Sequence, residues 1–454
     1  MTSYDLYTKT PPGRLFFMVA VPGAISMAAS SLWGLFDGIF VGQFLGDTAF
    51  AALNLAFPFV MINFSLADLV GVGASVPISI SLGRGDQRSA NNYFTCSCIL
   101  IVLTSLLMGV VMYLGAPTLM QLVGAEGELA QLGVTYVRVY ALCSPFTTII
   151  FAVDNFLRIS GQIKGSMALN IAMSLLILAL EFLFFQVLNF GIAGSALGVS
   201  LGMMLCSAVA FVPFAQGKLV LRFCKPQFSW DMLRRIVVNG TPNFLNTTAE
   251  RLTGILMNGA LMMLGGTMAV NIYGVLTYAG FILLQLLYGT CDALQPAIGY
   301  NWGANQPRRV WTILRYCLSS SAILCLAGTA VMLLAPKPII TLFLTHPDAE
   351  TLEYACFALR LFSLTYLTRW IGFALQSFFL AIEKPLFATL VSLGNAMVVP
   401  LVLMAALWPL GLTGLWLNSP LTSAIIAVLA LVLLDRLRRS VAKEPNAPAS
   451  EQTA

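Results

Sequence analysis

Eight ionisable side chains stand where the surrounding sequence is oil-like: Asp37, Asp68, Asp154, Glu181, Glu250 and Asp292, with Arg251 and Arg369. Charge inside an apolar helix is expensive, so each of these asks for a partner or a function. Asp37 lies deepest, bracketed by Leu35, Phe36, Ile39 and Phe40. A carboxyl group in such surroundings resists ionisation, so it can take up a proton or Na⁺ when open to one side and release it when open to the other. The alternative is a carboxylate satisfied by the donors of a neighbouring helix. Glu250 precedes Arg251, but adjacent helical residues point about 100° apart and do not pair. Glu250 therefore faces a cavity or pairs with Arg369 or another internal base. Asp292, one turn before Pro296, is a candidate for a cavity or for an interfacial pair. Asp68 and Asp154 are near enough to span ends to be solvated or to hold a basic loop.

Other chemistries lack their residues. The sequence has no HExxH, nucleophile elbow, Walker A run or clustered His/Cys ligands, so an enzyme is not expected, nor a cofactor or fixed metal. The nine cysteines are scattered and none has CxxC spacing, which suits small apolar packers. The single His346 sits beside Pro347 and Asp348, where a solvated loop is expected.

The elements that must hold the carboxyls are membrane helices. The chain is 58% hydrophobic and only 9% charged, against roughly 25% charged in soluble proteins. About twelve apolar stretches are long enough to cross a bilayer, near 15–41, 50–74, 93–115, 131–156, 166–188, 192–214, 236–263, 268–300, 312–335, 351–380, 386–408 and 411–434. Their continuous apolar character fits helices rather than barrel strands. The first stretch is too long for a signal peptide and lacks a cleavage site. Assigning alternate loops to two sides puts Lys9, Arg14, Arg84, Arg88, Arg158, Lys164, Lys218, Arg222, Lys225, Arg308 and the Arg436–Lys443 cluster on one side, against Lys337 alone on the other. That predicts a multi-pass protein of the cytoplasmic (inner) membrane with both termini cytoplasmic, and makes the net charge of +5 a topology signal rather than a nucleic-acid one.

The chain also repeats itself about 220 residues apart. Val21-Pro22 recurs as Thr241-Pro242, Leu45-Gly46 as Leu264-Gly265, Gly83-Arg84-Gly85 as Gly303-Ala304-Asn305, and Gly191-Ile192-Ala193-Gly194 as Gly411-Leu412-Thr413-Gly414. Two homologous six-helix bundles of parallel orientation follow, related by a pseudo-two-fold axis along the membrane normal. The expected division is an N-terminal lobe over 1–214, a cytoplasmic linker over 215–235, a C-terminal lobe over 236–440, and a polar, disordered tail over 441–454.

The stretch from Gly289 to Ala304, GTCDALQPAIGYNWGA, resembles the QP-x-x-G-x-N-x-G-A motif of the MATE (multidrug and toxic compound extrusion) transporters, in the form typical of their MepA-like branch. Its residues here are Gln295, Pro296, Gly299, Asn301, Gly303 and Ala304. The run Asp37-Gly38-Ile39-Phe40-Val41-Gly42 resembles the family's first-helix signature, and Gly71-Val72-Gly73-Ala74-Ser75 its second-helix stretch. The resemblance spans nearly the whole chain. It implies an all-α, V-shaped pair of lobes around a central cavity. It also implies an antiporter in which entry of H⁺ or Na⁺ drives export of bulky, often cationic, organic compounds. It places a cation-binding carboxylate at Asp37, where Na⁺ could be held transiently. The family's partner site on the fifth helix often reads Asn-x-x-x-Asp. Here it reads Asn170 to Ser174, so the carboxylate is missing. Glu181, seven residues further on the same face, could supply the charge or could snorkel to the interface.

An organic-cation pocket wants aromatic faces and adaptable apolar surface. The candidates are Met257, Tyr273, Tyr278 and Phe281, with Gln285, Gln295, Glu250 and Asp292 as polar contacts. Pro22, Pro242 and Pro296 interrupt spans and are expected to kink them. The expected partners are a small organic substrate, the coupling ion and membrane lipid; the transporter is expected to act as a monomer. The alternative reading is a flippase for a lipid-linked intermediate. It would want a cavity rich in Arg and Lys, and the internal bases Arg138, Arg251, Arg360 and Arg369 are few.

Overall fold

The structure is a computed structural model that describes residues 2–343 and 348–443. His346 and the tail from residue 444 lie outside the described residues. Among the described residues all regular structure is helical, and ten stretches are long and apolar enough to cross a membrane. One of them, Trp230–Gly303, is bent at Gly266 (φ 62°, ψ −158°) into two spans, 230–265 and 267–303. A further helical pair, Ala349–Ser363 with Tyr366–Ala381, completes the second repeat. The spans, in order, are Pro12–Leu45, Asp47–Gly83, Gln87–Leu122, Gly127–Ile159, Ile163–Val187, Ile192–Ala215, the two halves around Gly266, Pro307–Leu334, 349–381, Pro385–Ala406 and Gly411–Lys443. They are numbered first to twelfth below. The last helix runs on to Lys443, past the predicted limit at 440.

The backbone carries the repeat as well as the sequence does. Gly46 (φ 86°) ends the first span and Gly266 (φ 62°) ends the seventh, each in a left-handed turn that a side chain would strain. Gly191 (φ 57°, ψ −144°) and Gly411 (φ 59°, ψ −139°) open the sixth and twelfth spans with nearly the same dihedrals. The two families of turns are therefore copies, 220 residues apart, although the Leu-Gly alignment matched Gly46 to Gly265.

The chain divides into two compact units. One takes Met1–Lys9 and Ile25–Gly240; the other takes Thr10–Ala24 and the chain from Thr241 onward. The expected lobe limits follow the linear order of the chain, whereas these units exchange two segments. The start of the first span belongs with the second repeat, and the start of the seventh with the first. Close backbone approach explains both. A β-carbon on Gly23 would lie 2.4 Å from the Gly289 carbonyl oxygen, and one on Gly240 would lie 1.9 Å from that of Leu69. The transfers occur at Ala24/Ile25 and Gly240/Thr241, within a turn of Pro22 and Pro242, both of which sit inside helices.

In the first unit the sixth span lies tightly on the fifth through Gly194, Gly198 and Gly202. β-Carbons there would meet Phe184 at 3.0 Å, Glu181 at 2.7 Å and Ile177 at 2.5 Å. Small residues every four positions allow such approach where no hydrophobic drive separates helix from lipid. The 219–229 connection is held against the third span. Gln87 donates to Val220 O (2.6 Å), Asn91 accepts from Arg222 N (3.0 Å), Thr95 from Cys224 N (3.1 Å) and Asn92 from Gln227 N (2.8 Å).

Candidate functional site

Glycine spacing on the sixth span brings Glu181 inward rather than to an interface. Glu181 is fully buried and its carboxyl adjoins that of Asp37, which is 3% exposed. Ser195 Oγ donates to Asp37 Oδ1 at 2.9 Å. Tyr136, buried on the fourth span, faces both acids and Ser195. Neither oxygen of Glu181 has a hydrogen-bond donor. With both acids ionised, two negative charges would share a buried site with no base beside them among the described residues, which is strongly unfavourable. One proton between the carboxyls, or one small cation held by both, would supply the missing interaction.

Asn170 and Ser174 do not reach Asp37. Asn170 Nδ2 donates to Asp154 Oδ1 at 2.8 Å, and Ser174 Oγ donates to Ala29 O at 3.1 Å and to Asn170 O at 2.9 Å. They meet the first span two turns before Asp37. Asp154 is not a solvated end group: it forms a 2.5 Å ion pair with Arg158, whose side chain is 4% exposed, and accepts from Ser166 Oγ. This cluster is fully built from opposite charges and donors.

The second unit keeps its acids differently. Glu250 lies 3.8 Å from Arg369, the pairing alternative of the sequence reading, while Arg251 is exposed. Asp292 accepts from Ser377 Oγ and from Gln295 Nε2, the latter at 3.1 Å. Met257, the repeat counterpart of Asp37, is an interior packing residue. Tyr278 and Phe281 are exposed, Tyr278 stacking on Phe343 at 6.0 Å. Tyr273 and Gln285 are half-buried. Pro296 is in the first turn of the short helix Gln295–Gly303, which follows a break at Ala293-Leu294, so it starts a helix rather than kinking one. Asn301 of the same motif bonds Ala297 O and accepts from Arg309 Nε at 2.9 Å; Arg309 in turn donates to Thr10 O at 2.5 Å. The motif thus holds down the start of the first span. Among the described residues, no group of three or more His, Cys, Asp or Glu could hold a metal ion.

Sequence reasoning missed Ser195 and Tyr136. Ser195 follows the repeated Gly191–Gly194 run directly, and that position was its signal. Tyr136 has none, because only tertiary packing turns it toward the acids.

Comparison with known proteins gives the same architecture. The chain is 27% identical over 442 residues to multidrug export protein MepA of Staphylococcus aureus (strain MSSA476), covering 95% of each. It is 25% identical to the protein of that name from Staphylococcus saprophyticus, covering 92% of each. A crystal structure of MATE in the straight conformation superposes with a TM-score of 0.91 at 22% identity, over 98% of this chain and 99% of that one. The outward-facing conformation of a multidrug resistance MATE family transporter of the MOP superfamily gives 0.88 at 23% identity, over 97% and 98%. The MatE family matches residues 22–183 and 242–405, one copy in each repeat. A duplicated six-span chain with an acid in its first span and QP-x-x-G-x-N-x-G-A in its eighth therefore belongs to the MatE family.

Proposed function

We propose that this protein exports organic compounds across the cytoplasmic membrane in exchange for H⁺ or Na⁺, with Asp37 and Glu181 as the ion-binding groups. The observation that carries the reading is the acid pair itself: two buried carboxyls, one hydroxyl donor to Asp37 and, among the described residues, no base beside them. Such a pair is stable when loaded with a cation and costly when empty, so its occupancy favours whichever conformation lets the ion in or out. Asn170 and Ser174 act at one remove, holding the fifth span against the first. The substrate class rests on the relatives' name, multidrug export protein. The basic loops put both termini in the cytoplasm. A proton entering down about 100 mV releases roughly 2.3 kcal/mol, enough for about a 50-fold gradient of an uncharged substrate exchanged one for one.

The test is transport in proteoliposomes with imposed pH or Na⁺ gradients, comparing wild type with Asp37→Asn and using a fluorescent organic cation as substrate. Gradient-driven transport should appear in wild type and vanish in the variant. Full-rate transport by Asp37→Asn with unchanged ion dependence would remove the assignment.

A further inference from the structure

On the lipid-facing side of the first unit, a cavity of about 590 Å³ opens between the third, fourth and sixth spans and the clamped connection; Cys98, Val102, Leu103, Ile149, Phe211 and Phe223 line it. We propose that it seats an acyl chain of an anionic glycerophospholipid, whose phosphate is met by Lys218, Arg222 and Lys225. Three observations support this occupant. First, the lining is almost wholly apolar, and Leu103 and Phe223 are 54% and 47% exposed, so the cavity is open to hydrocarbon rather than sealed by protein. Second, the basic groups stand at the right height. Phe211 lines the cavity and Lys218 follows seven residues on, just past the end of the same helix at Ala215. At about 1.5 Å per residue the four residues from Phe211 to Ala215 rise roughly 6 Å toward the basic side of the membrane, and Lys218 is held at that helix end by its N–H on Pro213 O (3.0 Å), where a headgroup lies when its chain is in the cavity. Arg222 belongs to the same place: its Nε is 3.9 Å from where a β-carbon on Gly217 would be.

Third, the connection is fixed, not loose. Its backbone is held by Gln87, Asn91, Asn92 and Thr95, so Phe223 is turned toward the cavity while the Arg222 and Lys225 side chains stay exposed. Phe228 and Trp230, 47% and 78% exposed, are the amphipathic rings expected of a segment lying at a bilayer interface. A guanidinium and two ammonium groups in that layer recognise a phosphate diester with net negative charge over a zwitterionic one.

Lipid binding here is independent of the export assignment and is read by labelling, not transport. The full chain is reconstituted with phosphatidylglycerol or phosphatidylcholine carrying the same diazirine-labelled acyl chain, photolysed, digested and mapped by mass spectrometry. Peptides containing Val102, Leu103 and Phe223 should label at least about fivefold more with phosphatidylglycerol. The Lys218→Gln/Arg222→Gln/Lys225→Gln variant should bring that ratio to within twofold of one, and Val102→Trp should lower labelling there by both lipids. Peptides containing the exposed Leu326 and Val331 report an intact fold when their labelling is unchanged; should Val102→Trp fail that control, the charge variant decides. Equal labelling of the wild type by the two lipids, or a preference that survives loss of the three bases, would reduce the cavity to ordinary annular contact and overturn the proposal.

Discussion

The two repeats treat buried acids in opposite ways. In the first unit Asp37 and Glu181 face each other with Ser195 as the hydroxyl donor to Asp37 and no base. In the second, Glu250 has Arg369 at 3.8 Å, Asp292 has Ser377 and Gln295, and the counterpart of Asp37 is Met257. Duplication supplied the same scaffold twice, down to the dihedrals of Gly191 and Gly411, yet among the described residues the acid pair without a base beside it lies in the first copy. A group neutralised by an arginine has no need of a mobile ion; on the proposed reading, a group without one does. Proximity of carboxyls is therefore less informative than the inventory of positive charge around them. Asp154 makes the point within the first unit: it is half-buried, and Arg158 answers it.

The largest effect should come from the uncompensated pair. Glu181→Gln should cut gradient-driven export on the order of a hundredfold, the upper range of coupling between two binding events, in the liposome assay. The double variant Asp37→Asn/Glu181→Gln should be no worse than the worse single variant, because the two acids act as one unit. An additive double variant would mean that they bind ions separately, and the contrast with the second unit would lose its basis.

Asp154→Asn should do the converse. It leaves Arg158, 4% exposed at its side chain, without its partner, and breaking such a pair costs about 3 kcal/mol. Thermal unfolding in detergent should shift down while the ion dependence of export stays as in wild type. Glu250→Gln should have a smaller effect, about 1 kcal/mol, because Glu250 and Arg369 are 38% and 20% exposed at their side chains and water screens what remains. Adding Arg369→Gln should restore part of the loss; a double variant worse than either single would show that Arg369 serves another group.

The smallest effect belongs to an acid in water. Asp86 caps the third span by accepting from Ser89 N at 3.0 Å, and the Ser89 hydrogen bonds hold its carboxyl below the usual carboxylate range. Asp86→Ala should cost about 0.5 kcal/mol, as loss of a cap does. Since the folded value lies below the unfolded one, the wild type has this advantage above the unfolded value, about 3.9, and loses it as pH falls through the folded value. The difference in melting temperature between the two should therefore shrink in acid, while export is unchanged at neutral pH.

Composition, spacing and repetition by themselves determined a great deal. Apolar runs of bilayer length gave the spans, because lipid accepts only backbones that satisfy their own hydrogen bonds. The 220-residue repeat gave the duplication, and the rarity of charge in those runs singled out Asp37, Glu181 and Glu250. Chain order alone could not give the exchange of segments at Gly23 and Gly240, because it depends on backbone-to-backbone approach between helices far apart in sequence. Nor could it decide between Asn170, Ser174 and Glu181 as the neighbour of Asp37. All three share one helical face, and the Gly194–Gly198–Gly202 contact with the sixth span together with the Ser174–Ala29 contact with the first decides which turn of that face meets the acid. Helical periodicity says which residues look the same way; which of them touches a partner depends on where two helices can come close, and that is a property of the packed molecule.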